Sequence, residues 1–595
     1  MAETRPGSKK RRHEVTPAAG ATPPSAVASP PADASHQAQD SALVWVPAVA
    51  VLLGAGVWLL VRAHGYTAWT DDDAFISFRY ARNLATGNGL VYNVGERVEG
   101  YTNFLWTVLL ASLRHLDTDL PRVASWLGRA FALATPALLF LGTTRLGVLQ
   151  APASLPVSAR WFLAALAPLL LCLSEPWAAW AVGGLENVFS AFLVTAAYLS
   201  YLWVLEEQTV QAAMSATGSD ASASAPAPTA AWPRGTLLHL CALSLALAVL
   251  NHPSNLLFAM PIAVDALLRS GGRQERRALL PPLLLFLALV GTWVLWRWVY
   301  YGDWLPNTFH AKVGFTRFVL ARGLRFLLLA LKALPVAAAA VAVLALLLAR
   351  ARRPLHPAWL FVAAVLLHAL YVLAVGGEEF PALRMFVVEL PLLVLVLQLL
   401  ANRLCSFLAG RPAALQGVVV VLVVAVLTGA HAAFLHASPR VRVLDQPVRQ
   451  YRTALSRAAA ERLRALLPAE TLFAHSGAGL LAYYTNFRWI DTLGLTDRTI
   501  ARRKLDSMGK GAAGHEKGDG AYVWSRQPDY VMFPGYPISD AKPSTRGDLE
   551  LFAIPEFRST YRSVRLLFEF QGPHDDVPRQ HYLFLWERLP SKPQP

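Results

Sequence analysis

The 595-residue chain is predicted to be a polytopic α-helical membrane protein of about 11 transmembrane helices, followed by a C-terminal soluble α/β domain. Three observations predict this. Apolar residues make up 55% of the chain and charged residues only 16%, against roughly 25% charged in ordinary soluble domains. Long apolar runs recur as far as Phe434, after which hydropathy falls. The formal net charge is nevertheless +15, with cations gathered between apolar runs. That pattern suits the cytoplasmic loops of a membrane protein and excludes a nucleic-acid binder. Cys172, Cys241 and Cys405 lie in or beside apolar runs, and their odd number implies no disulfide framework.

Residues 1–40 are polar, rich in Ala, Pro and Ser, and carry Lys9, Lys10, Arg11 and Arg12. They read as a disordered basic cytoplasmic tail rather than a cleaved signal. Residues 41–436 form the transmembrane module. Its first span, Ala42–Val61, has 20 residues without a charge, enough to cross a bilayer as a helix. Further spans are expected at Arg122–Leu146, Trp161–Leu173, Leu185–Leu205, Leu237–Leu250, Leu256–Leu268, Leu279–Tyr300, Phe326–Leu348, Leu355–Val375, Met385–Leu400 and Leu415–Phe434. With the N-terminus inside, this count puts Arg269, Arg273, Arg276, Arg277, Arg350, Arg352, Arg353, Arg403 and Arg411 on the cytoplasmic face, as the positive-inside rule asks. The same parity needs a break at Asn251-His252-Pro253. It also keeps Tyr101–Leu116 as a juxtamembrane helix on the outer face. Residues 206–234, rich in Ala, Ser, Pro and Gly, read as a flexible loop. Residues 437–595 alternate strands (Tyr530–Phe533, Leu549–Ile554, Tyr582–Trp586) with helical stretches such as Arg449–Leu467, and read as a soluble extracytoplasmic domain.

The chemistry concentrates in the outer loops. The first, residues 65–118, carries Asp71-Asp72-Asp73 followed by Ala-Phe-Ile-Ser-Phe-Arg79. Adjacent acids at a membrane edge can supply a general base. Thr70 and Asp73 also have the spacing of a capping box, so spacing alone favours Asp73 as a cap of the helix that follows. Asp72 and Arg79 share a helix face and would suit a simple salt bridge. A hard cation on Asp71–Asp73 is a third reading. No Cys/His cluster of metal-ligand spacing, Walker loop or Gly-x-Ser-x-Gly elbow is present. Two further outer segments, Tyr300–Lys312 and Gly376–Arg384, bring the cations Lys312 and Arg384. Both residue types suit a lipid phosphate, and both can also snorkel to headgroups. Glu389 lies within a span, where an ionisable group is a functional candidate by default, and its plainer reading is a partner for Arg384 or Lys332. His252 reads as structural, and Tyr101 and Trp106 read equally well as interface anchors.

The first loop, Asp72-Asp73-Ala-Phe-Ile-Ser-Phe-Arg79-Tyr-Ala-Arg-Asn followed by Gly95-Glu-Arg-Val-Glu-Gly-Tyr-Thr-Asn-Phe-Leu-Trp106, resembles that of the actinobacterial terminal β-arabinofuranosyltransferases and their broader bacterial relatives. These are polytopic glycosyltransferases of the GT-C fold class. Tyr301-Gly-Asp-Trp-Leu-Pro-Asn-Thr308 with Lys312, and Gly376-Gly377 up to Arg384, are similar to that family's outer-loop motifs. So are Gly479–Tyr484, Asp491–Asp497, Gly514–Lys517 and Pro528–Tyr530. Two departures stand out. Glu378 follows the Gly-Gly pair where the family often has Asp, and His252-Pro253-Ser254 replaces an Arg-Pro-acid element.

The resemblance implies a sugar donor on a polyprenyl phosphate, a cell-envelope glycan or glycolipid hydroxyl as acceptor, and transfer on the outer face of a bacterial inner membrane. Asp72 or Asp73 would be the catalytic acid of the first loop. Charge and position make Arg79, Lys312 and Arg384 candidates for the donor phosphate. Glu99, Tyr101, Asn103, Tyr301, Asn307 and Glu378 are candidates for substrate contacts. The chemistry asks for no cofactor beyond a possible divalent cation. Two rival classes are a lipid or solute transporter, which would carry ionisable groups in several spans and internal repeats, and a non-catalytic scaffold for a surface machine, in which the loop acids would be caps.

Overall fold

The computed structural model describes residues 43–67, 69–217, 232–350, 356–442, 447–535, 538–572 and 575–590. The basic tail, Arg352, Arg353 and residues 218–231 of the expected loop lie outside them. The described residues from Val46 onward form one compact unit.

Helices build the described chain as far as Ala437. Val46–Gly65 shows how they are placed. Ala48, Ala55, Leu59 and Ala63 are buried, while Leu53, Val57, Trp58 and Val61 are turned outward. An apolar outer face on a helix whose backbone bonds are satisfied internally is what hydrocarbon requires. Six described helices are long and apolar enough to cross a membrane: Val46–Gly65, Leu120–Arg145, Asn187–Thr209, Arg234–Asn251, Arg273–Tyr301 and Ala413–Ala437. The bent pair Arg317–Ala333 and Pro335–Arg350 makes seven if counted as one span. Shorter apolar helices complete the bundle at Phe104–Leu113, Val157–Cys172, Trp359–Val375 and Leu390–Ser406. The chain is a multi-pass membrane protein.

Several elements differ from the sequence reading. The run expected as one span at Phe326–Leu348 bends by 99°, because Pro335 has no N–H to continue the helix and its ring clashes with the preceding turn. Trp161–Leu173 falls into two short helices, Val157–Ala164 and Leu166–Cys172. The loop expected from residue 206 begins later, since the helix from Asn187 continues through the helix formers of Glu206–Ala213 to Thr217. The expected break holds, with Arg234–Asn251 separated from Leu256–Arg269 by a 3-10 turn at Pro253–Asn255.

The C-terminal segment opens with helix Pro447–Leu466. Its strands are β1 (Leu472–His475), β2 (Arg488–Asp491), β3 (Tyr530–Val531), β4 (Phe533–Pro534), β5 (Ser539–Asp540), β6 (Tyr561–Phe570) and β7 (Arg579–Arg588). The main sheet runs β2-β1-β3-β7-β6, parallel at β2-β1-β3 and antiparallel at β3-β7-β6, with β4-β5 a separate ribbon. Leu549–Ile554, expected as a strand, is instead mostly helix, Arg546–Phe552. Thr545 caps it by accepting from the Asp548 N–H, and Asp548 returns the bond to the Thr545 N–H.

This segment shares a core with the first loop. Ile76, Tyr80, Tyr92 and Tyr101 pack with Leu455, Phe473, Leu481, Phe487 and Trp489 in one buried cluster. The catalytic loop expected from sequence is therefore held between the bundle and the sheet.

Candidate functional site

Helix Asp72–Ala85 carries the acidic run at its N-terminus, and each acid has a different partner. Asp71 is the cap, accepting from the Asp73 N–H at 3.1 Å. The expected Thr70/Asp73 capping box is thus replaced by a cap one residue on. Asp72 turns to the C-terminal segment and accepts from the Leu480 N–H at 2.8 Å. Asp73 lines a cavity of about 480 Å³ and meets the Lys312 ammonium at 3.3 Å. Among the described residues no three His, Cys, Asp or Glu side chains are grouped to hold a metal ion.

Lys312 closes the short helix Asn307–Lys312, where a cation suits the helix dipole. The next wall is the Gly376–Arg384 loop. Gly376 and Gly377 have φ of 85° and 67°, and a Cβ on Gly377 would stand 2.6 Å from Phe326, so this close turn needs glycine. Ala382 and Leu383 also adopt positive φ, 52° and 51°. Non-glycine residues held there store strain, a feature that clusters at functional sites. That backbone delivers Arg384 to the cavity with its guanidinium 3.7 Å from the Phe380 ring centroid. Arg384 pairs with Glu378 at 2.6 Å, and Glu378 also accepts from the Met385 N–H at 2.9 Å.

Electrostatics separate the acids. Burial raises the Asp73 carboxyl, but Lys312 and Arg384 together outweigh it and hold the group below its ordinary value. Burial, then the charge of Asp73, pushes Asp71 up to about 8, with Arg384 opposing. Burial also raises Asp72. Glu186 is a residue the sequence reading missed. It lines the cavity just before the helix from Asn187, and accepts from Asn103 Nδ2 at 2.8 Å. Burial raises its carboxyl, with Arg384 and Asn103 working against it. The Asp73 carboxyl is thus held down while the Glu186 carboxyl is pushed up, a division that suits acid–base work. An acid abutting the start of an apolar run, in Gly183-Gly184-Leu185-Glu186, was the available signal.

The cavity gathers Asp73, Tyr101, Asn103, Lys312, Glu378 and Arg384 from the expected set. It does not gather the others. Arg79 is buried and donates to the carbonyls of Tyr92, Ala482 and Phe487 and to Asn93 Oδ1. It therefore neither reaches a phosphate nor pairs with Asp72. Asn307 spends its amide on the carbonyls of Gly494, Leu495 and Asp497, and Tyr301 donates to the Leu90 carbonyl. Glu99 stands behind the wall, paired with Arg297 at 3.0 Å. Trp106 is no interface anchor: it is buried and donates to the Gly184 carbonyl. Glu389 meets His368 at 2.9 Å, not Arg384 or Lys332. His252 lines the cavity, with Nδ1 2.7 Å from Ser254 Oγ.

An acid beside two cations on one cavity suits an anionic ligand. Comparison with known proteins gives the following matches. The chain is 30% identical over 247 residues to the terminal β-(1→2)-arabinofuranosyltransferase of Corynebacterium glutamicum, a match covering 41% of this chain and 33% of that protein. It is 43% identical over 103 residues to the enzyme of the same name from Mycobacterium tuberculosis, covering 17% and 15%. The matches thus span a third or less of the length of these curated relatives. The resemblance read from the first loop is borne out by them. A family described as Domain of unknown function (DUF8728) matches residues 445–582. Among solved structures, ArnT from Cupriavidus metallidurans bound to undecaprenyl phosphate aligns with a TM-score of 0.47 at 14% identity, covering 76% of this chain and 86% of that one. Arabinofuranosyltransferase AftD from Mycobacteria aligns at 0.45 and 15%, covering 91% and 40%. Likeness at this level decides nothing about the reaction.

Proposed function

We propose that this protein is an integral-membrane glycosyltransferase that moves a sugar from a polyprenyl-phosphate donor to a hydroxyl of a cell-envelope glycan or glycolipid. The observation that carries the reading is the Asp73–Lys312 pair in a cavity whose facing loop presents Arg384. The named relatives favour an arabinofuranosyl unit. The proposed frame is a bacterial inner membrane with the N-terminus cytoplasmic and residues 437–595 outside, following the segment 41–436.

The chemistry follows from these groups. Lys312 and Arg384 hold the donor phosphate and stabilise the charge that develops as the anomeric C–O bond breaks. The acceptor oxygen forms the new bond to the anomeric carbon, and its proton passes to the Asp73 carboxylate. The lipid phosphate leaves with the bonding electrons. In the free enzyme Lys312 restrains Asp73. An arriving phosphate competes for that ammonium and frees the carboxylate to act as base.

The test is to give purified protein in liposomes a labelled polyprenyl-phosphate sugar and an acceptor oligosaccharide. Label in the oligosaccharide supports the reading. Label moved across the bilayer without transfer, or left untouched, refutes it.

A further inference from the structure

The same cavity carries a second polar patch that the transfer step leaves unused. Arg297, near the outer end of helix Leu280–Tyr301, and Thr308, in the helix that ends at Lys312, both line it. They are 4% and 8% exposed. Arg297 directs Nε to Glu99 and Nη1 to the Trp304 carbonyl at 3.1 Å, and its guanidinium lies 4.0 Å from the Trp293 ring centroid. Its Nη2 is buried with no hydrogen-bond partner among the described residues, and so is Thr308 Oγ1. Two buried polar atoms left unsatisfied in residues that line one cavity are costly. Valine would fill the space of Thr308 without that cost.

We infer that Arg297 Nη2 and Thr308 Oγ1 form a subsite for sugar hydroxyls, one helical turn from Lys312. Thr308 and Lys312 are four residues apart and share a helix face. The Asn307 N–H donates to the Glu99 carbonyl at 2.9 Å and ties this helix to the loop behind Arg297. Glu99 and the Trp304 carbonyl hold Arg297 through Nε and Nη1, so the patch is left with one directed N–H group and one hydroxyl. That matches the hydroxyls of a polyol. Tyr101, Leu305 and Pro306 supply the apolar wall a sugar ring needs beside its polar edge. The inference rests on the proposed transferase reading. The hydroxyls come either from the donor sugar or from the acceptor glycan.

The experiment uses Thr308→Val and Arg297→Lys in the full chain, purified in detergent, with ligand-dependent thermal unfolding as the readout. The probes are polyprenyl phosphate without sugar, polyprenyl-phosphoryl arabinofuranose, and a short arabinofuranosyl oligosaccharide. Without ligand, Thr308→Val should melt at or above the wild-type temperature, since it removes an unsatisfied buried hydroxyl. Both variants should bind the bare lipid phosphate as wild type does. Affinity for one sugar probe should fall about tenfold, the usual weight of one lost hydrogen bond, and the probe affected names the source. Wild-type affinity of Thr308→Val for both sugar probes overturns the subsite. So does a wild-type protein that gains nothing from either sugar. The bare-lipid arm reports separately on the donor, so failure of the subsite and failure of the transferase reading are distinguished.

Discussion

Removing Asp72 should cost stability rather than chemistry. Its carboxylate accepts from the Leu480 N–H at 2.8 Å, which docks the C-terminal segment on helix Asp72–Ala85. The approach is so close that a Cβ on Gly479 would lie 2.0 Å from the Asp72 carbonyl oxygen. Asp72→Ala leaves the Leu480 N–H without its acceptor, at roughly 1–3 kcal/mol while that group stays buried. Asp72→Asn keeps an oxygen in place and loses only the charge assistance, about 1 kcal/mol. Gly479→Ala forces the same two chains apart and should resemble Asp72→Ala. The assay is thermal or denaturant unfolding of the purified variants, paired with sugar transfer at a temperature where each remains folded. Stability should fall in the order Asn, then Ala, while transfer per folded molecule stays within about tenfold of wild type. An Asp72→Asn protein as stable as wild type that transfers below a hundredth of its rate would refute this division of labour.

Other expectations follow from the same geometry. Lys312→Met removes a cation that holds the Asp73 carboxyl down against its burial, so the acid limb of the transfer rate should move to higher pH; an unmoved limb would contradict the pairing. Asp71, pushed up to about 8 from 3.8 by burial and Asp73, binds its proton more tightly folded than unfolded. Its contribution to stability is thus present at low pH and lost as pH rises toward about 8. Denaturant midpoints at pH 6 and 9 should therefore drop further in wild type than in Asp71→Asn. Arg384→Lys keeps the charge but loses both the fork on Glu378 and the stack on Phe380. It should raise the donor KM about tenfold or more in steady-state transfer.

The sequence disclosed what depends on local pattern. Apolar runs, the break before Pro253 and the glycine pair at 376–377 all act within one turn or one helix, and the chain folds accordingly. Pro335 was equally visible, but a hydropathy average passes through it. The register of the acids was not legible. Asp71, Asp72 and Asp73 are chemically alike, and what separates them is Leu480 for one and Lys312 for another, each hundreds of residues away. Arg79 looked available for the same reason: the carbonyls of Ala482 and Phe487 that consume it belong to a distant segment. Glu186 went unseen because an acid at a span boundary carries no spacing signature. Helix Arg546–Phe552 was misread because its apolar residues were weighed without the Thr545/Asp548 cap beside them.

The central claim is that Asp73, not Asp72, is the carboxylate at the reacting site. Its direct test is sugar transfer from a polyprenyl-phosphate donor by purified Asp73→Asn and Asp72→Asn under identical conditions. Asp73→Asn should fold and bind bare polyprenyl phosphate, yet lose transfer by about 10²–10⁴-fold, the usual weight of a positioned general base, while Asp72→Asn keeps most of its activity. A folded Asp73→Asn with near wild-type transfer would contradict the account.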